Sequence, residues 1–204
     1  MSPTPALAAV VDAFRARLVA RGEGQDAVIV ETHISLVLLA GEFAYKFKKP
    51  VDFGFVDFST LARRQHFCAR EVALNARYAP RLYLGVETVD ELGVREYAVR
   101  MRRFGAAATL AELLTRDAVS AEQIATFARA VAAQHACAAQ GDAELGSATL
   151  ARHQIEASMA APLTDMLPAA LRETLLARLA ATMPRLSQRH AQGHVRDCHG
   201  DLHG

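Results

Sequence analysis

Leu7, Val10, Val11, Phe14 and Leu18 recur at the spacing of one helix face, so the chain opens on an amphipathic helix predicted to end near Gly22. The period then changes. Residues 27–40 are β-branched and apolar, Gly41 and Glu42 supply a short turn, and residues 43–48 alternate aromatic with small or basic side chains. This pattern predicts strands leading into a hairpin, ended by Pro50. An aromatic loop (Phe53, Phe55, Phe58) follows, and Ser59 is the expected N-cap of a helix running to about Tyr78, stopped by Pro80. Residues 82–89 and 94–101 predict a second strand pair around a turn at 90–93.

From Gly105 the chain turns Ala- and Leu-rich with helical period, which predicts a boundary between an N-terminal lobe, 1–104, and a helical lobe, 105–204. Thr109 with Glu112 and Ser120 with Gln123 each fit a capping box. The second of these helices is expected to reach about Gln140, with Ile124, Ala128, Val131 and His135 on one stripe. His135 there reads first as a core histidine. Helices near 147–160 and 168–190 follow, the latter with Pro168 in its first turn and Leu171, Leu175, Leu179, Met183 and Leu186 facing inward. A short strand at 194–198 delivers the terminal loop. The fold class expected is α+β.

Composition narrows the function. The chain has 204 residues, 51% of them hydrophobic, enough for a sizeable core. No apolar run approaches the roughly 20 residues of a membrane span, and the N-terminus carries Asp12 and lacks the basic start of a secretory signal. A cytoplasmic protein with no membrane partner is expected. Cys68, Cys137 and Cys198 are too few and too scattered for a disulfide framework or a zinc cage. A net charge of +1 makes no electrostatic case for nucleic acid.

Of 23 basic residues, the three lysines are Lys46, Lys48 and Lys49, and the rest are arginine. That clustering selects for ammonium, a compact point charge suited to phosphate oxygens, against the plainer alternative of a lysine-decorated strand edge. Strand alternation puts Ala44, Lys46 and Lys48 on one face and Phe43, Tyr45 and Phe47 on the other. The small Ala44 leaves room for a flat ring beside Lys46. In the next helix Glu71 falls on a stripe with Phe67, Leu74 and Tyr78, and an inward carboxylate needs a cation. Lys46 is the candidate; an exposed stripe edge or an ordinary ion pair is the alternative. The terminal HGDLHG sets Asp201 between His199 and His203, as a base or metal ligand or as a merely polar loop, and reads as a motif cut short in a longer parent protein.

Strand lobe, internal lysine, inward glutamate, strand pair, helical lobe and HGDLH come in a kinase's order. The segments THISLVLLAGEFAYKFKKPVDFGFVDFST (32–60), FCAREVALNARYAP (67–80), EYAVRMRRF (96–104) and VRDCHGDLHG (195–204) resemble the aminoglycoside phosphotransferase-like branch of the protein-kinase-like superfamily. Its catalytic loop reads HGDxHxxN. The resemblance spans nearly the whole chain and is closest to a bacterial group whose members often carry a P-loop domain downstream. It implies a two-lobe kinase-like fold with an incomplete helical lobe, ATP and Mg2+ as cofactors, and a small-molecule hydroxyl as acceptor. Position by position it implies that Lys46 holds the α- and β-phosphates, with Lys48 its rival. Glu71 would orient the lysine, Arg100, Met101 and Arg102 would form the adenine-side hinge, and Asp201 would take the hydroxyl proton.

Thr32 to Ser35 takes the place of a glycine-rich loop without a glycine, and hydroxyls of Thr32 and Ser35 are the expected substitute donors. The pattern's metal-binding asparagine would come two residues after Gly204, so no metal ligand is expected within the chain and the chain alone is expected to be inactive. The rival class is a metallophosphoesterase, since GDLHG fits that family's GDxHG; position argues against it, because there the element opens the domain. A kinase-like protein that binds a nucleotide or partner without catalysis is the third reading.

Overall fold

A computed structural model describes residues 5–54, 56–105, 109–141, 147–160 and 168–201, without the side chains of 5 and 157–160. The fold is α+β. Strands β1 (Val28–Glu31), β2 (Ser35–Ala40), β3 (Phe43–Lys48), β4 (Tyr83–Glu91) and β5 (Val94–Arg102) form one antiparallel sheet in the order β1-β2-β3-β5-β4. Helix α1 (Pro5–Ala20) precedes the sheet, and α2 (Leu61–Asn75) lies between β3 and β4. Then come α3 (Leu110–Thr115), α4 (Ala121–Cys137), α5 (Ala148–Ala160) and α6 (Ala169–Ala191). The described chain divides into two units, residues 1–123 and 124–201.

In the first unit the helical stripe of α1 is the core. Leu7, Val10, Val11, Phe14 and Leu18 are all buried with Leu36, Leu38, Tyr45, Phe47, Val89 and Ala98 of the sheet. Each valine, leucine or phenylalanine among them contributes roughly 1.5–3 kcal/mol by leaving water. Phe14 meets Tyr45 edge-on at 5.0 Å between ring centroids. The sheet's local geometry follows its turns. Gly41, the first of two loop residues between β2 and β3, has φ +53° and its amide donates to Asp26. Leu92 and Gly93 both take positive φ in the two-residue loop between β4 and β5, as a type I′ hairpin requires.

The apolar run at 27–40 is two strands, folded back at Thr32 with Val30 opposite Val37. Helix α2 is capped by Thr60, whose hydroxyl accepts from the Arg63 amide, and not by Ser59, whose own hydroxyl donates to Asp57. The inward stripe of α2 is also displaced from the expected one. Arg64 and Cys68 are its buried residues while Phe67 is 39% exposed, packed edge-on against Phe58. Helix α3 begins at its Thr109 cap, and at the start of α4 Ser120 and Gln123 each accept the other's amide proton, completing the capping box.

In the second unit, none of the described residues is fully buried. Helix α5 starts where Ser147 caps the Leu150 amide. Leu171 and Leu175, expected to face inward on α6, are exposed, and Leu179, Met183 and Leu186 are half-buried. His135 is exposed and so is not a core histidine. The expected strand at 194–198 is a single bridge, Gln140 opposite Arg196, because one residue pair exhausts the pairing. Among the described residues no helix is long and apolar enough to cross a membrane.

Candidate functional site

Alternation along β3 sends Tyr45 and Phe47 into the α1 core and Ala44, Lys46 and Lys48 to the opposite face. There α2 crosses. Its residues 64, 68, 71 and 75 follow the 4–3–4 spacing that keeps one helix face toward the sheet. Arg64 donates through Nε and Nη2 to both oxygens of Glu96 on β5, and through Nη1 to the carbonyls of Phe58 and Ser59. This fork pins the N-terminal half of α2. Two turns later, the same face presents Glu71.

Glu71 holds two lysines at once. Lys46 Nζ donates to Oε1 at 2.8 Å and Lys48 Nζ to Oε2 at 2.6 Å. Burial alone would raise the Glu71 carboxyl, but the charges and hydrogen bonds of Lys46 and Lys48 outweigh it and hold the group below its ordinary value. The lysines differ in surroundings. Lys48 is 6% exposed and sits over the Phe58 ring at 4.7 Å, whereas Lys46 is 29% exposed. Three charges sum to one net positive at the mouth. Burial raises the neighbouring Cys68 thiol to about 11 and also raises the Tyr83 phenol, which feels the Glu71 charge, so both stay neutral near pH 7.

Beside Lys46 the same sheet face is apolar. Register sets Val30, Val37, Lys46, Val99 and Val86 in one row across all five strands, and Val28, Leu39, Ala44, Met101 and Tyr83 in the next. Val28 and Val30 are 51% and 44% exposed, so this end of the face lies open. Of the expected hinge residues, Met101 shares the face with Lys46. Arg100 and Arg102 fall on the other one, by alternation; Arg100 stacks on Phe43 with its guanidinium carbon 4.1 Å from the ring centroid. Val28 and Val30 escaped notice in the sequence because the run at 27–40 carries no mark of which side faces out.

The Thr32–Ser35 segment joins β1 to β2. Its hydroxyls are used otherwise than expected. Thr32 Oγ1 accepts from the Ser35 amide and donates to the Ser35 carbonyl, which closes the turn, and Ser35 is fully buried with no hydrogen-bond partner for its hydroxyl among the described residues. Lys49, 1% exposed, donates to Glu31 and to the Thr32 carbonyl, both at 2.6 Å. The third lysine therefore anchors the loop. Its role was invisible in sequence, since it needs the β1–β2 fold-back.

Asp201 belongs to the second unit. It is exposed, and its amide donates to His199 Nδ1 at 3.3 Å across Gly200, whose φ is +80°. Leu202 and His203 lie outside the described residues. Among the described residues no three His, Cys, Asp or Glu side chains gather as a metal site.

Uncharacterized proteins of Mycobacterium tuberculosis and Mycobacterium bovis are 42% identical to the chain over 87 residues, which is 42% of this chain and 18% of each relative. The matched segment thus spans less than a fifth of those relatives. No family model and no solved structure matches.

Proposed function

We propose that the first unit is the nucleotide-binding lobe of a protein-kinase-like phosphotransferase, which in the full-length protein phosphorylates a hydroxyl of a small molecule with ATP. One observation carries the reading: two ammoniums converge on one inward carboxylate beside an open apolar face. The residues present fit a nucleoside polyphosphate. Lys46 offers a partly exposed cation within a cluster of net positive charge, and the apolar rows through Ala44 and Met101 suit the flat face of a base. In this reading Lys46 binds the α- and β-phosphates and Glu71 keeps its ammonium oriented. Asp201 accepts the acceptor's hydroxyl proton as the phosphoryl group moves. Mg2+ would neutralise charge on the β- and γ-phosphates, and among the described residues no three His, Cys, Asp or Glu side chains gather to hold it.

The test is titration of Mg·ATP into the full-length protein and its Lys46→Ala variant. A loss of affinity of about tenfold or more is expected, given a charge-assisted contact to phosphate. Equal affinity rejects the assigned lysine. Metal-dependent phosphoester hydrolysis that needs Asp201 and tolerates Lys46→Ala would move the protein to the phosphatase class.

A further inference from the structure

We infer that Lys48 is a positioning residue that holds Glu71 ionised and in place when Lys46, still oriented by Glu71, gives its other donors to an anionic ligand, so that anion binding takes up no proton. The inference rests on the nucleotide reading and assigns a role the Lys46–Glu71 pair alone does not explain. Glu71 is 14% exposed, and a carboxylate that deep cannot lose its last cation without taking a proton or shifting. With two lysines it need not. Each ammonium takes one oxygen, and the two are unequal in their freedom. Lys48 is enclosed, with the Phe58 ring beneath its Nζ, and so is bound to stay. Lys46, on the more open side, can share its donors with a phosphate.

The other groups around Glu71 cannot replace Lys48. Cys68 on α2 and Tyr83 on β4 are neutral near pH 7, and on β5 Glu96 is committed to Arg64. Without Lys48, an anion at Lys46 draws on the one remaining ammonium and sets its own negative charge beside Glu71, which then captures a proton from solvent. Affinity becomes linked to pH.

The probe is inorganic tripolyphosphate, titrated calorimetrically into the protein in buffers of different ionisation enthalpy. Wild type is expected to bind with no proton taken up by Glu71. Lys48→Met is expected to bind about tenfold more weakly near pH 8 and to take up close to one proton more than wild type does. Relative to wild type, its deficit then shrinks by up to about tenfold per pH unit lowered. Adding Glu71→Gln to Lys48→Met removes the carboxylate and should abolish the uptake and restore affinity. A deficit that is independent of pH and unrelieved by Glu71→Gln means that Lys48 touches the phosphate itself, and overturns the inference. So does wild-type binding by Lys48→Met.

A second readout labels lysine side chains at Cε, with the Lys46 and Lys48 resonances assigned by the signal that Lys46→Met or Lys48→Met removes. Tripolyphosphate should shift that of Lys46 and leave that of Lys48 in place; the reverse pattern overturns the inference. If Lys46→Met binds tripolyphosphate as wild type does, the nucleotide reading itself fails, and that failure is distinct because it appears without touching Lys48.

Discussion

Glu96→Ala should cost the first unit about 3–5 kcal/mol, because it leaves a buried guanidinium with no counter-charge. The structure fixes the terms. Arg64 and Glu96 side chains are 9% and 7% exposed and meet through two parallel hydrogen bonds, of 3.0 and 2.7 Å. The carbonyls of Phe58 and Ser59 remain for Nη1, but they supply no net charge. Against a total stability of about 5–15 kcal/mol such a loss is large. Replacing the pair together, Arg64→Met with Glu96→Leu, should cost much less than the two single changes summed, since an apolar pair needs no partner. Urea unfolding followed by far-UV circular dichroism measures wild type, Glu96→Ala, the single changes Arg64→Met and Glu96→Leu, and the pair; the chain has no tryptophan to report by fluorescence. A loss under about 1 kcal/mol for Glu96→Ala would mean that water screens the pair as at a surface. Additive single changes would refute the coupling.

Glu71, held below its ordinary carboxyl value of 4.5, stabilises the fold above that pH, and the contribution is lost as pH falls through the lower folded value. Urea midpoints of wild type should therefore fall below about pH 4.5, and those of Glu71→Gln should fall less steeply over the same range. Leu92 is 70% exposed at φ +55°, so Leu92→Asn should raise stability by about 1 kcal/mol, read as an increase in melting temperature. Pro184 lies inside α6, where it removes an amide donor; Pro184→Ala should stabilise the second unit by up to about 3 kcal/mol, seen as slower amide exchange along α6.

Local chemistry was legible in the sequence and long-range chemistry was not. The stripe of α1, the Gly41–Glu42 turn and the Thr109 and Ser120 caps depend on residues within a few positions of each other, and each formed, while the turn expected at 90–93 tightens to the two residues Leu92 and Gly93. The choice of Thr60 over Ser59 as cap depends on Asp57 claiming the Ser59 hydroxyl, a competition that spacing does not display. Periodicity put Glu71 inward but misplaced the stripe's centre. Hydrophobicity favoured Phe67, whereas the fold buries Arg64, whose partner Glu96 is 32 positions away. In α6 the expected inward leucines, Leu171 and Leu175, stay exposed because a helical period names a face without naming what covers it. Lys46 and Lys48 could be set on one face by alternation alone. That both reach Glu71 requires the crossing of α2.

The same crossing explains why lysine, scarce elsewhere, fills this strand. A guanidinium in place of the Lys46 ammonium would lay its fork across both Glu71 oxygens, as Arg64 does on Glu96, and would leave Lys48 buried without its acceptor. Two ammoniums divide the carboxylate, one oxygen each. Lys49 likewise divides its Nζ donors, between the Glu31 carboxylate and the Thr32 carbonyl, from an enclosed position. The test is Lys46→Arg. Charge is conserved, so a simple electrostatic role predicts wild-type binding of tripolyphosphate. A divided carboxylate predicts instead that the introduced guanidinium outcompetes Lys48, Glu71 holds it as a bidentate partner, and affinity falls about tenfold while the net charge of the cluster is unchanged.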